Sequence, residues 1–143
     1  MHKSHDPLIK VSEPSFNSSL DLFAIEAAYG KYPNAGYAHY RPQYHSMDRN
    51  NWKLIKIWVH NDFRQKGIGT KLFKTVFDNL KAQEATHVTW QVIPEQKGMT
   101  TTQLVDYYKS MLAITYPSLL NKTDVKEVGP NRYEMVHMTV KID

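Results

Sequence analysis

The chain has 143 residues, a net charge of +4 and no cysteine, which excludes disulfides, thiolate metal sites and a cysteine nucleophile. An apolar fraction of 41% supports one core, and the length is too short for two, so a single domain is expected over 1–143, with 1–7 mobile. No run is long and apolar enough for a membrane span, and Met1–Phe16 lacks the apolar core of a secretory signal, so a cytoplasmic protein is expected whose positive charge favours an anionic partner.

In chain order, Leu8–Val11 reads as a short strand and Leu20–Ala28 as a longer one, with Phe23, Ile25 and Ala27 on one face and Leu22, Ala24 and Glu26 on the other. Turn formers follow over Tyr29–Asn34, where Gly30 tolerates positive φ and Pro33 presets its own, so a hairpin leads into a tyrosine-rich strand over Gly36–Tyr44. After a polar loop, Trp52–Val59 is β-branched and aromatic, which predicts a central strand with Ile55, Ile57 and Val59 on one face. Ile68, Leu72, Phe73, Val76, Phe77 and Leu80 recur at helical spacing and predict an amphipathic helix lying on the sheet. His87–Ile93 alternates as a strand that Pro94 stops, and Leu104, Tyr108, Met111 and Leu112 predict a second helix capped by a hydroxyl among Thr100, Thr101 and Thr102. A last strand, Tyr133–Ile142, turns Val136, Met138, Val140 and Ile142 inward. The order predicts an α/β (α+β) fold, a mixed sheet of six or seven strands with packed helices.

The chemistry concentrates where the strand ending at Val59 passes through His60–Phe63 into Arg64-Gln65-Lys66-Gly67-Ile68-Gly69 and the first helix. Backbone amides at a helix start are unpaired, and the helix dipole adds partial positive charge, so this turn suits an anion. At Gly67 and Gly69 the absent side chains let a phosphate reach those amides, and Lys66, Lys71 and Lys74 add long-range attraction. Because Gly69 is followed by Thr70-Lys71-Leu72, the spacing is neither that of dinucleotide folds nor that of nucleotide phosphate loops.

The sextet instead resembles the acetyl-CoA signature [RQ]-x-x-G-x-[GA] of the GCN5-related N-acetyltransferase (GNAT) superfamily, and the run Val59–Phe73 is similar to that family's strand four and helix three, with Asn61 where proline is common. Leu22–Glu26 and Ala35–Ala38 resemble its strands two and three, Val92–Glu95 the end of strand five, and Leu104–Lys109 the run of helix four. The resemblance covers residues 20 to 142. It implies a mostly antiparallel sheet with a splayed strand pair, acetyl-CoA as cosubstrate, no metal, and direct transfer of the acetyl group to a small-molecule, peptide or protein amine. It further implies that Ile57, Trp58 and Val59 hold the pantetheine arm, that Arg64, Gln65, Lys66, Gly67, Ile68, Gly69 and Thr70 hold the diphosphate, and that Tyr108, with Tyr107 beside it, protonates the departing thiolate.

Three departures stand beside it. The glutamate base that many relatives carry early in strand four is matched by about Lys53, which leaves Glu26, His39 and Glu95 as replacements and the base unassigned. Gln96–Thr100 lengthens the connection after strand five, where it would line the acceptor site. The space between Val11 and Leu20 is too short for the two acceptor-side helices of relatives, so either the acceptor site is open, suiting a macromolecule, or a second subunit of a homodimer completes it. An acyl-CoA-binding sensor or scaffold that keeps the fold is the alternative function. A nucleic-acid module using Tyr32, Tyr37, Tyr40, Tyr44, Lys31 and Arg41 is disfavoured, since tyrosines are ordinary strand formers.

Overall fold

A computed structural model describes residues 8–43, 50–94, 98–128 and 135–142. Residues 1–7, Tyr44, Glu95–Lys97, Tyr133 and Glu134, all used in the sequence reading, lie outside the described residues. Eight strands form one sheet: β1 (Ile9–Val11), β2 (Ser15–Asn17), β3 (Leu22–Tyr29), β4 (Tyr32–Pro42), β5 (Asn51–Val59), β6 (His87–Val92), β7 (Thr123–Val128) and β8 (Met135–Lys141). Their order is β1-β3-β4-β5-β6-β8-β7, with β2 also on β3. Every pairing is antiparallel except β5 with β6.

Two helices, α1 (Ile68–Ala82) and α2 (Thr101–Thr115), pack on the same face. Helix α1 buries Ile68, Leu72, Phe73, Val76, Phe77 and Leu80 against β3, β4 and β5, the stripe its sequence predicts. Gly36 lets it approach closely, because a Cβ there would stand 3.3 Å from Ile68 and Leu72 and 2.7 Å from the Trp58 carbonyl. Helix α2 sets Tyr108 against Trp90 and Phe73, with ring centroids 5.3 and 6.3 Å apart. Its start carries a full capping box: the Thr100 hydroxyl accepts from the Gln103 amide at 3.1 Å, and the Thr100 amide donates to the Gln103 side chain at 2.9 Å.

The expectation that Ile55, Ile57 and Val59 share a face needs correction. Trp52 and Leu54 pair with Pro42 and Tyr40, whereas Ile57 and Val59 pair with Ala38 and Gly36, and the register shifts between them. Ile55 is the extra residue of this bulge and is 41% exposed. The inward set is therefore Trp52, Leu54, Ile57 and Val59, and a strict alternation from Ile55 onward would have missed the first two. Two strands were not foreseen. Strand β2 has three exposed residues, too few for a period, and β7 alternates weakly with Val125 37% exposed, as suits a charged sheet edge.

Candidate functional site

Strands β5 and β6 pair only through Asn51–His87, Trp52–Val88 and Lys53–Thr89. Beyond Lys53 they part: β6 continues its ladder with β8 to Val92, while the Leu54–Val59 stretch of β5 stays paired to β4. The parting opens a cleft of about 550 Å³. Its walls are the β5 edge at Ile57, Trp58 and Val59, the turn at Phe63, Arg64 and Gln65, the start of α1 at Gly67–Thr70, and Ile93, Met99, Leu104, Tyr107, Tyr108 and Met111. Ile57 and Val59 face the helices while Trp58 pairs with Tyr37 on the opposite face, so the cleft runs through the plane of the sheet.

The turn into α1 is held in a conformation that exposes its amides. Asn61–Phe63 form a short 3-10 turn capped by the His60 ring, which accepts from the Asp62 amide at 3.1 Å. Gln65 has φ +64° and Gly67 φ +89°, two left-handed residues that bend the chain sharply. Such strain in a glutamine gathers at ligand sites. The Arg64 Nε donates to the Val59 carbonyl at 3.3 Å, tying turn to strand. Gly67 caps α1 without a side-chain hydrogen bond, no acidic residue stands in the first turn, and the first in-helix bond runs from the Lys71 amide to the Gly67 carbonyl at 3.0 Å. The amides of Ile68, Gly69 and Thr70 precede that bond and have no partner within the helix. The two helices contrast: α2 satisfies its start with Thr100 and Gln103, while no side chain caps the start of α1.

Gly69 permits a close meeting of three elements, since a Cβ there would lie 3.0 Å from the Tyr107 hydroxyl and 3.7 Å from Val59 Cγ2. Burial raises the Tyr107 pKa, the Arg64 charge opposing it, so the hydroxyl stays protonated at neutral pH. Tyr108, half-buried on Trp90, Phe73 and Tyr107, forms the floor of the cleft.

Ten of the sequence-derived site residues thus line one cleft: Ile57, Trp58, Val59, Arg64, Gln65, Gly67, Ile68, Gly69, Thr70 and Tyr108. Lys66 does not, its ammonium lying over the Tyr29 ring at 5.6 Å. Two lysines of α1 also point elsewhere, Lys71 to the Ile9 carbonyl at 3.2 Å and Lys74 to Asp78 at 2.8 Å. Sequence reasoning missed Phe63, Leu104, Met111 and the contact of Tyr107 with the turn. Only the pairing of two tyrosines hinted at the last. Among the candidate bases, Glu26 and His39 stand on the face away from the helices, as partners of Tyr37 and Ala24. Burial lowers the His39 pKa below 6.5, Glu26 opposing the shift and Lys56 adding to it. No three metal-ligating side chains gather among the described residues.

Fold and site together give a mixed sheet whose parted strands open a cleft onto an uncapped helix start. The model of the Acetyltransferase (GNAT) family matches residues 11–109. The chain belongs to that family and is an acyltransferase. An acetyltransferase of the same family from Elizabethkingia anophelis, solved with acetyl-CoA bound, is similar with a TM-score of 0.58 at 17% identity over 95% of this chain and 99% of that one. The Staphylococcus aureus acetyltransferase of the family gives 0.57 at 15% identity over 85% and 68%, and the ribosomal-protein-S18-alanine N-acetyltransferase of Escherichia coli 0.54 at 14% over 85% and 70%. No curated protein sequence matches the chain.

Proposed function

We propose that the whole chain is one acetyltransferase domain that binds acetyl-CoA in the split between β5 and β6 and transfers its acetyl group directly to an amine. The observation that carries this is the uncapped, glycine-flanked start of α1 at the mouth of the parted strands. Amides at Ile68, Gly69 and Thr70 would hold the diphosphate, joined by Arg64 and Gln65 of the turn. The free edge of Ile57–Val59 would pair with the pantetheine amides. The E. anophelis relative, matched over 99% of its own length, holds acetyl-CoA, so a fold of this extent is large enough for the cosubstrate.

In the reaction a C–N bond forms as the thioester C–S bond breaks; the amine nitrogen loses one proton and the sulfur gains one. Tyr108, which lines the cleft, would supply the sulfur's proton. With no cysteine in the chain, a thiol-linked acyl-enzyme has no nucleophile, so the amine attacks the thioester itself. His39 is the proposed proton acceptor, through water: its ring stacks on Tyr37 at 4.5 Å, Tyr37 stacks on the cleft residue Trp58 at 5.4 Å, and its lowered pKa keeps it neutral near pH 7. The proposed compartment is the cytoplasm, because acetyl-CoA is an intracellular thioester.

The test is release of free CoA thiol from acetyl-CoA in the presence of a panel of amines, with mass spectrometry of the acceptor. Amine-dependent thiol release and a product heavier by one acetyl group are expected. Tight acetyl-CoA binding with no acceptor-dependent release across the panel would instead favour a sensor.

A further inference from the structure

Both helices cover one face of the sheet, and among the described residues no helix covers the other. The residues of that bare face follow from the strand register. Ala24–His39–Lys56 and Glu26–Tyr37–Trp58 form two rows across β3, β4 and β5, and Arg41 pairs with Lys53 at the fork where β5 and β6 part. Lys53 is exposed, Arg41 and Lys56 half-exposed. Further out the same face carries Lys10 on β1 and Lys141 on β8. Its acidic strand residues among those described are Glu26 and Asp124, and Asp124 is engaged by Lys126 at 3.5 Å. Cations therefore dominate the surface onto which the cleft opens beside Trp58.

Resting on the acetyl-transfer reading above, we infer that the acceptor amine is carried by an acidic stretch of polypeptide that docks on this face. Three observations converge. Among the described residues no helix covers the face, which leaves room for an extended chain. The cations at the fork, Arg41, Lys53 and Lys56, complement carboxylates that flank the amine. Glu26 stands in the Trp58 row two strands from the cleft, which leaves the strand residues at the fork itself cationic. A polyamine would be repelled by the same lysines, and a second copy of this chain would bring like charges together. A nucleic acid would match the charge but offers no aliphatic amine to the thioester.

The experiment uses three fluorescein-labelled peptides of one length, each with a single free lysine amine flanked by Asp/Glu, by Ser, or by Arg. Spermidine and a single-stranded oligodeoxynucleotide are run beside them. Peptide binding by anisotropy is read separately from acetylation. The acidic peptide should bind and react at least about tenfold better than the serine peptide at low salt, with the advantage shrinking as ionic strength rises. The double variant Arg41→Glu with Lys53→Glu should lose that advantage while acetyl-CoA affinity and thermal midpoint stay unchanged. A conservative Lys53→Arg should retain it. Equal handling of the three peptides, preference for spermidine, or tighter binding of the oligonucleotide than of the acidic peptide would overturn the inference. Charge-selective binding without acetylation would uphold the face and overturn the acetyl-transfer reading. Acetylation blind to flanking charge would do the reverse.

Discussion

Gly67 and Gly69 serve different ends although both border the same turn. Gly67 has space for a side chain, its nearest neighbour being Ile9 Cδ1 at 3.9 Å, but its φ of +89° is one that L-residues avoid. Gly67→Ala should therefore lower stability by about 1–2 kcal/mol in a denaturant titration. Gly69 has helical geometry, where alanine gains up to about 1 kcal/mol, yet its new methyl would sit 3.0 Å from the Tyr107 hydroxyl in the cleft wall. Gly69→Ala should leave stability nearly unchanged and weaken acetyl-CoA binding. Tyr108→Phe keeps the ring on Trp90 and Phe73, so acetyl-CoA affinity should hold while kcat falls by about 10²-fold in steady-state assays. An unchanged kcat would remove Tyr108 from the reaction. His39 accepts a proton only when neutral, so the rate should fall as pH drops through its pKa. Burial and Lys56 place that limb below 6.5, against Glu26, and His39→Gln should abolish it in a pH–rate profile.

At the scale of elements, the bulge at Ile55 decides which side chains of β5 reach the cleft. Strand periodicity is two, so one extra residue moves every later side chain to the opposite face. If Ile55 were instead paired in regular register, Lys56 and Trp58 would turn toward α1 and Ile57 and Val59 away from it. Deleting Ile55 removes the extra residue and leaves Leu54, Lys56 and Ile57 in unbroken alternation, so the same side chains should face α1 and the melt should stay cooperative, and Ile55→Ser, at an exposed site, should change stability by no more than about 0.5 kcal/mol. This was the part of β5 that the sequence reading missed: Lys53 and Lys56 stand three apart, which breaks a period of two, but the position of the bulge is fixed by the partner strand. Elements with a strong period were legible. Helix α1 buries the six residues its spacing names, and α2 is capped by Thr100, one of the three threonines expected. Strands β2 and β7 were illegible because their residues are largely exposed, so burial imposed no pattern on them.

For the whole molecule, the legible part of the site was the backbone proposed to receive the cosubstrate, because glycines and a strand-to-helix boundary leave a mark in sequence. The lysine side chains are not part of the cleft lining. They are long enough to turn away, and Lys66, Lys71 and Lys74 find Tyr29, the Ile9 carbonyl and Asp78 instead of the cleft. Phe63, Leu104 and Met111 come from three elements that only the folded sheet brings together, so no local spacing could have joined them. The bare face follows from the same topology, with both helices on one side and eight strands between them and solvent. The central claim, that the start of α1 receives the cosubstrate's paired phosphates, is tested most directly by isothermal titration of CoA and of pantetheine, which lacks phosphates, into the wild-type chain and Gly67→Asp. One site should bind CoA about a hundredfold or more tighter than pantetheine, from several charge-assisted hydrogen bonds, and Gly67→Asp should lose that difference while binding pantetheine as before. Equal affinity for the two ligands in the wild type, or undiminished CoA binding in Gly67→Asp, would contradict it.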